Sequence, residues 1–206
     1  MKKKIVFFAI ILIVFVVITI VSISCISTSS AKQFEIVNKN SKTNANILSC
    51  IDEYQEKYFK IVKRHNMFLQ LEDDPTLTKD RKELRDLYEE VKQQITNKHY
   101  LQKYNDIKKR YTTNNAATML DMNEFYKNNY TEIDNLLNEV YKEIKLKISP
   151  EDFKKLTSSE KKWIKEVEDY NEVFNSQGFG SIGGVIYYSY QIDMRNFRSL
   201  LLMLYL

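Results

Sequence analysis

The stretch IDNLLNEVYKEIKLKI, residues 133–148, has the clearest helical periodicity in the chain. Its large apolar residues recur at spacings of three and four, which places them on one face of a helix. They are Ile133, Leu136, Leu137, Val140, Tyr141, Ile144 and Ile148. Because a stripe of this width has to be buried against a partner, the stretch predicts an amphipathic helix that faces a core.

The segment that follows supplies such a partner. Ser149-Pro150-Glu151 begins a second helix with proline at the first helical position, where its missing N–H costs nothing. Its matching apolar stripe is Phe153, Leu156, Trp163, Ile164, Val167, Tyr170 and Phe174. We expect an antiparallel hairpin, and a third helix from Ile186 onward that packs on it through Tyr187, Tyr190, Met194, Phe197, Leu201 and Leu204.

A glycine cluster separates the last two helices. All four glycines of the chain lie between Gly178 and Gly184. Glycine adopts backbone conformations that other residues avoid, so Gly178-Phe179-Gly180-Ser181 predicts a loop that presents an aromatic ring and a hydroxyl. The alternative is a tight helix reversal in which Ser181 caps the final helix and Phe179 folds into the core.

The N-terminal half also has helical periodicity. A first helix is predicted from about residue 46 to residue 71, ending at Glu72-Asp73-Asp74-Pro75. Thr78 or Asp80 is the predicted cap of a second helix, and a third covers residues 100–111. The polar residues 112–115 mark the best boundary between the two halves. With no sustained alternation of period two, the chain is predicted to be all-α.

The N-terminus predicts export. Lys2, Lys3 and Lys4 precede the uncharged apolar residues 5–24, which as a helix reach about 30 Å, the hydrocarbon thickness of a bilayer. The lysines place the short end in the cytoplasm and the rest of the chain on the periplasmic or extracytoplasmic side. Cys25 follows Ser24 at the end of this run, so lipidation and cleavage at Cys25 is an alternative to a retained signal anchor, and simple secretion is a third.

Charge divides the chain into halves of opposite sign. Lys32–Ala117 carries 17 basic and 13 acidic residues, and Thr118–Leu206 carries 11 basic and 14 acidic residues. A negative surface attracts cationic proteins and mainly raises the rate of association. A merely solvated helix surface is an equally good interpretation of a charge this small.

Signals for catalysis, metals and nucleotides are missing from the sequence. His65 and His99 are the two histidines, and neither belongs to a nucleophile or metal-ligand pattern. Glu166, Glu168 and Asp169 could in principle act as the paired acids of a glycosidase, but with lysines one turn away they are typical of a solvated helix face. We therefore predict a protein that is not an enzyme, with no cofactor, no metal ion and no nucleic-acid partner.

The order of motifs resembles the LprI-type lysozyme inhibitor family (DUF1311-like), small exported all-helical proteins of the bacterial envelope, over roughly residues 118–206. The family pattern is a Leu-Asn pair with a tyrosine three residues on, a Trp-Ile pair in a helix, a Gly-Ser loop and an arginine in the last helix. The matching residues here are Leu137, Asn138, Tyr141, Trp163, Ile164, Gly180, Ser181 and Arg195. Where the family continues with an Arg-Asp pair and a cysteine, residues 165–170 read KEVEDY, so the family's disulfide is missing.

The residue patterns and the resemblance together predict four segments. Residues 1–25 are a signal anchor or lipoprotein signal, 26–46 a tether, 47–115 a helical N-terminal region and 116–206 an LprI-like helical domain. The fold is then an N-terminal transmembrane or signal helix followed by an exported antiparallel helical bundle. Leu137, Asn138, Tyr141, Trp163 and Arg195 are expected in structural roles, and Arg195 and Arg198 are expected to pair with acids on neighbouring helices.

The function implied by the resemblance is occlusion of lysozyme by an envelope-anchored binding protein that protects peptidoglycan. Phe179, Gly180 and Ser181 are expected to enter or cover the lysozyme cleft, while Glu168 or Asp169 meets basic residues at its rim. One alternative is a structural or scaffolding envelope protein that shares only the fold and binds through its tyrosine-rich N-terminal helices. A weaker alternative is a peptidoglycan hydrolase that uses Glu166 or Glu168.

Overall fold

The computed structural model describes residues 43–64, 75–113, 115–175 and 178–206. Six α-helices and one short 3-10 helix make up nearly all of this part of the chain, which confirms the predicted all-α class. They are α1 (43–64), α2 (Pro75–Gln94), α3 (Lys98–Arg110), α4 (Met119–Lys147), α5 (Pro150–Asn175), the 3-10 helix Gly180–Ile182 and α6 (Gly183–Met203). The side-chain contacts below all lie within the compact unit Asn44–Leu206.

The predicted membrane segment, residues 5–24, and Cys25 lie outside the described residues. Among the helices that the structure does describe, none is both long and apolar enough to cross a membrane. The predicted divisions at residues 25, 46 and 115 stay predictions.

Capping residues explain where three helices begin. The Asn97 side chain accepts hydrogen bonds from two backbone N–H groups in the first turn of α3. Thr118 and Asp121 form a capping box at the start of α4, and the Ser149 hydroxyl accepts the backbone N–H of Asp152 in α5. Each cap gives a partner to amide groups that the first helical turn leaves unpaired.

Helix α2 begins earlier than the sequence predicts. It starts at Pro75, so Thr78 and Asp80 lie inside the helix, and the prediction that one of them caps it is wrong. Proline is favoured in the first helical turn, where no intrahelical N–H is lost. Asp80 is instead buried, 2% exposed, and accepts a hydrogen bond from Arg64 of α1.

Helix α4 also begins earlier than the periodic stretch that starts at Ile133. Residues 119–130, which open the C-terminal half in the sequence, continue without a break into the helix containing residues 133–148 and form a single helix of 29 residues. The predicted hairpin of α4 and α5 is present, joined by Ile148 and Ser149. Its two helices meet where the Tyr141 and Thr157 hydroxyl oxygens are 3.0 Å apart.

Helix α6 is the centre of the bundle. Every residue from Asn196 to Met203 is buried, as expected of a helix surrounded on all sides. Phe197 stacks on Tyr58 of α1, with ring centroids 4.6 Å apart, and meets Tyr88 of α2 at 5.0 Å. Helices from both halves of the sequence therefore share one hydrophobic core around α6.

The directions of α4 and α5 relative to α6 follow from their contacts. Asp134 pairs with Arg195 and Tyr130 contacts Tyr188, so α4 and α6 run parallel. Glu160 pairs with Arg198, while Asn171, further along α5, contacts Gln191, nearer the start of α6, so α5 and α6 run antiparallel. The α5–α6 turn and the beginning of α4 consequently lie at the same end of the bundle.

Candidate functional site

The α5–α6 turn depends on glycine backbone conformations. Gly178 and Gly180 have φ values of 66° and 60°, in the left-handed region that other residues enter at a cost. A Cβ atom added at either position would meet nothing within 4 Å, so backbone conformation, and not lack of space, requires glycine there. The 3-10 helix Gly180–Ile182 then leads directly into α6.

The two predicted contact side chains of the turn differ in exposure. Phe179 is half-buried, and its ring stacks on Phe174 of α5 with centroids 5.1 Å apart and planes 25° apart. Ser181 is exposed. Ile182 occupies the N-cap of α6 and no side chain caps that helix, so the alternative in which Ser181 is the cap is wrong. The Ser181 side chain is accessible to a partner.

An open groove of about 390 Å³ lies beside this turn. We call it the turn groove. Its lining residues, contributed by the end of α5, the turn and the start of α6, are Phe174, Asn175, Gly178, Phe179, Gly180, Gly183, Gly184, Tyr187 and Tyr188. None of them is charged, and four are aromatic.

Glu168 and Asp169 lie on α5, away from the turn groove lining. Glu168 is exposed, and Asp169 accepts a hydrogen bond of 2.8 Å from Lys165 one turn earlier. At a rise of about 1.5 Å per residue, Glu168 is about 10 Å along the helix axis from the end of α5 at Asn175. The structure therefore places these acids on the same helix as the turn but does not bring them into contact with it.

The predicted structural residues come together around Arg195 of α6. Its Nε donates to Asp134 Oδ1 at 2.7 Å, and the Asn138 amide donates to Asp134 Oδ2 at 3.0 Å. The Arg195 guanidinium carbon is 4.5 Å from the centre of the Tyr130 ring and 5.9 Å from that of Trp163. The Asn138 amide thus positions Asp134, and the Asp134 carboxylate pairs with Arg195. Trp163 lies beside the same guanidinium group.

This polar cluster continues to the antiparallel helix. Arg195 also donates to the Gln191 side chain, and the Gln191 amide donates to Asn171 Oδ1 at 2.6 Å. The Tyr190 hydroxyl donates to the same Asn171 oxygen. Burial raises the pKa of Tyr190, which keeps its hydroxyl protonated as the donor. Three helices are fastened by one hydrogen-bonded chain that runs from the exposed Asn138 on α4 to the buried Gln191 on α6.

Two further predicted structural residues pack where the sequence places them, and one apolar residue does not. Leu137 is buried and Tyr141 contacts the Phe153 ring at 5.1 Å. Trp163 is 5% exposed, but its neighbour Ile164 is 46% exposed, so the prediction that both belong to the buried stripe is wrong. Adjacent residues on a helix are 100° apart, and α5 buries the face that carries Trp163.

A second buried arginine was predicted only to pair with an acid. Arg198 is fully buried and donates through Nε to Glu160 of α5 at 2.9 Å. It also donates to Ser159 at 3.0 Å and to the Gln55 side chain of α1 at 3.3 Å. The predicted pairing of both arginines is present, and Arg198 additionally ties α1 to α5 and α6.

Several residues of these networks were missed by sequence reasoning. Asp134 and Asn171 look like ordinary solvated positions of amphipathic helices, and Gln191 has no motif around it. The one available signal was the spacing of Asp134 and Asn138, which puts both on the same helix face. In the described ranges, no group of three or more histidine, cysteine or acidic residues is arranged to hold a metal ion.

Comparison with known families agrees with this geometry. Residues 110–200 match the family model described as "Lysozyme inhibitor LprI". The segment carries an LprI-type domain. The match includes α4, α5 and most of α6, and thus every residue of the Arg195 cluster. Neither the curated proteins nor the solved structures contain a match to this chain.

Proposed function

We propose that this chain is an envelope-anchored protein that binds lysozyme, occludes it and so protects peptidoglycan. The observation that carries the proposal is the match of residues 110–200 to the lysozyme inhibitor LprI model. The basic and apolar N-terminal sequence supports anchoring, with the helical domain on the periplasmic or extracytoplasmic side. The chain acts by occlusion and carries out no covalent chemistry.

The binding surface in this proposal is the α5–α6 turn together with the exposed face of α5. Ser181 is exposed, and Phe179 is only half-buried, so its ring can be covered by a partner. The left-handed backbones of Gly178 and Gly180 set the path of the turn that carries Phe179 and Ser181. Residues presented on a turn between rigid helices are typical of binding sites.

Helix α5 adds acidic and apolar contacts. Glu168 is exposed and has no ion-pair partner within the described chain, so its charge is available to a cationic protein. Asp169 is partly neutralised by Lys165. Ile164 is 46% exposed four residues before Glu168, on the same helix face, and gives this surface an apolar residue to bury.

The test measures lysis of cell walls by c-type, g-type and i-type lysozymes with increasing amounts of the full chain. We expect dose-dependent inhibition of at least one class, weakened at least tenfold by Phe179→Ala combined with Ser181→Ala. Leu146→Ala is the matched control, because Leu146 is 82% exposed near the end of α4 away from the turn. Association at low and physiological salt tests whether the acids of α5 steer the encounter.

The same titration can overturn the proposal. Absence of binding and inhibition for all three lysozyme classes, with folding verified by circular dichroism, would leave only a shared fold and favour the scaffolding alternative. Inhibition that survives the turn variant but is lost on Glu168→Gln would keep the inhibitor function and move its surface from the turn to α5.

A further inference from the structure

The turn groove differs in chemistry from three other grooves on the described surface. The groove between α1 and α2, of about 630 Å³, is lined by Lys57, Lys60, Arg64, Lys79, Lys82, Glu83, Asp86 and Glu90 besides two apolar residues. The grooves between α1 and α5 and between α3 and α4 are likewise lined by charged side chains of both signs. The turn groove has none. Ionic ligands have nothing to pair with in it.

Hydrogen-bonding groups are nevertheless present in the turn groove. Tyr187 and Tyr188 are half-buried, and neither hydroxyl has a hydrogen-bond partner among the described residues. Asn175 is exposed and its side-chain amide is likewise unpaired there. A tyrosine hydroxyl donates and accepts, and an amide offers two donors and one acceptor. The groove can therefore satisfy a ligand rich in hydroxyl and amide groups.

Aromatic rings provide the apolar part of the same surface. Phe174 and Phe179 stack on each other, and Phe174 also contacts Tyr187 with centroids 5.6 Å apart. Tyr188 is braced by Tyr130 of α4 at 5.6 Å. Because each ring is held by a neighbour, little side-chain entropy remains to be lost when a ligand covers it. Gly178 and Gly180 have open space where a side chain would stand, so a ligand can approach the backbone closely there.

We propose that the turn groove binds sugar rings of a neutral glycan carrying N-acetyl groups. A pyranose combines an apolar C–H face, which packs on an aromatic ring, with hydroxyls around its edge, and an N-acetyl group adds an amide. The aromatic rings of the groove match the apolar C–H face, and its unpaired hydroxyl and amide groups match the sugar hydroxyls and the N-acetyl amide. The absence of charged residues from the described lining matches a neutral glycan. The groove volume lies within the range of small-ligand sites.

This site extends the proposed function, since a chain that also binds the glycan covers the polymer that it protects. It does not depend on lysozyme binding, because the glycan is bound without lysozyme present. The same turn would then serve two partners, and lysozyme and the free glycan should compete for the chain.

The experiment titrates the full chain with the tetramer of N-acetylglucosamine in a calorimeter. Tetragalacturonate, an anionic tetrasaccharide, is the comparison ligand. We expect saturable binding of the neutral tetramer and at least tenfold weaker binding of the anionic one. Tyr188→Ala should weaken binding of the neutral tetramer more than tenfold, and Tyr188→Phe, which keeps the ring, by about threefold to tenfold.

Leu146→Ala is again the matched control and should leave the affinity unchanged. Circular dichroism identifies any variant that fails to fold, and Tyr188→Phe keeps the test decisive if Tyr188→Ala is lost. No saturable binding of the neutral tetramer at millimolar concentration would overturn the proposal, as would equal binding by the folded Tyr188 variants and the unchanged chain. Lysozyme binding is measured separately in the absence of sugar, so either proposal can fail alone.

Discussion

The interior around α6 and the α5–α6 turn are held together by different kinds of interaction. In the interior, Arg198 is fully buried and every polar group that it reaches belongs to another helix. At the turn, Ser181 is exposed, two glycines have left-handed backbones and the adjoining groove has no charged side chain. The interior is held by charge and burial, whereas the turn is held by backbone conformation and aromatic stacking.

This difference separates the residues that carry the family resemblance from the residues proposed to contact a partner. Asn138, Trp163 and Arg195 carry much of the family resemblance, and all three meet in or beside the interior cluster. Their presence explains why the α4, α5 and α6 helices pack as they do. In the proposed function, contact with a partner falls to residues of the turn and of the exposed α5 face, which are not the residues that specify the fold.

The largest expected loss of stability comes from substituting the buried Arg198. Arg198→Leu keeps apolar volume but leaves the Glu160 carboxylate, 13% exposed, without its cation and removes the donor to Gln55. We expect the free energy of unfolding to fall by about 3 kcal/mol, since removing one partner of a buried ion pair costs about 3–5 kcal/mol. Urea unfolding followed by circular dichroism measures the change.

An exposed ion pair is the control for Arg198. Arg110 pairs with Glu132 at the surface, with side chains 55% and 37% exposed, and Arg110→Leu should lower the free energy of unfolding far less than Arg198→Leu does. Adding Glu160→Gln to Arg198→Leu should recover part of the loss, because an uncharged amide is cheaper to leave unpaired. Equal losses for Arg198→Leu and Arg110→Leu would remove the distinction drawn between interior and surface.

A smaller effect is expected from the backbone of the turn. Gly180→Ala places a side chain at φ 60° and should lower the free energy of unfolding by about 1 kcal/mol, although the added Cβ has open space. Gly183→Ala is the matched control, because Gly183 is helical and its added Cβ makes ordinary contacts of 3.6 Å and longer. That variant should be neutral or slightly more stable. A thermal melt of both variants decides whether conformation, rather than space, constrains the turn.

The sequence predicted the helices well because their stripes are long and regular. Residues 133–147 and Pro150 lie in helices as predicted, since periodicity and a proline at the first position are local signals. The start of α2 was missed because Asp80 resembles a cap by composition, whereas the structure buries it against Arg64 of α1. A tertiary contact between helices leaves no local trace in the sequence.

The candidate site was predicted only in part. Four glycines within residues 178–184 marked the turn, and Phe179 and Ser181 were evident from their position between them. The turn groove was not predictable, because it needs the ring of Phe174 from α5 and those of Tyr187 and Tyr188 from α6 at one place. Each of these residues alone has the spacing of an ordinary core position.

The smallest expected effect concerns a partly buried acid of the interior, Asp193, and its dependence on pH. Asp193 of α6 accepts hydrogen bonds from the Tyr58 hydroxyl at 2.8 Å and the Tyr88 hydroxyl at 3.1 Å. Burial raises its pKa above the ordinary value of 3.8, while the two hydrogen bonds and Lys108 oppose this effect. Between 3.8 and its raised pKa, the folded chain therefore holds a proton that the unfolded chain has released.

Stability from this group is consequently fully present below pH 3.8 and is lost as the pH rises through the raised pKa of Asp193. Asp193→Asn removes the titration, so the difference in unfolding free energy between the variant and the unchanged chain should move in the variant's favour as the pH rises from about 4 through that raised pKa. A difference that stays constant as the pH rises would mean that burial does not govern the titration of Asp193, and the contrast between the two regions would then lie in geometry alone.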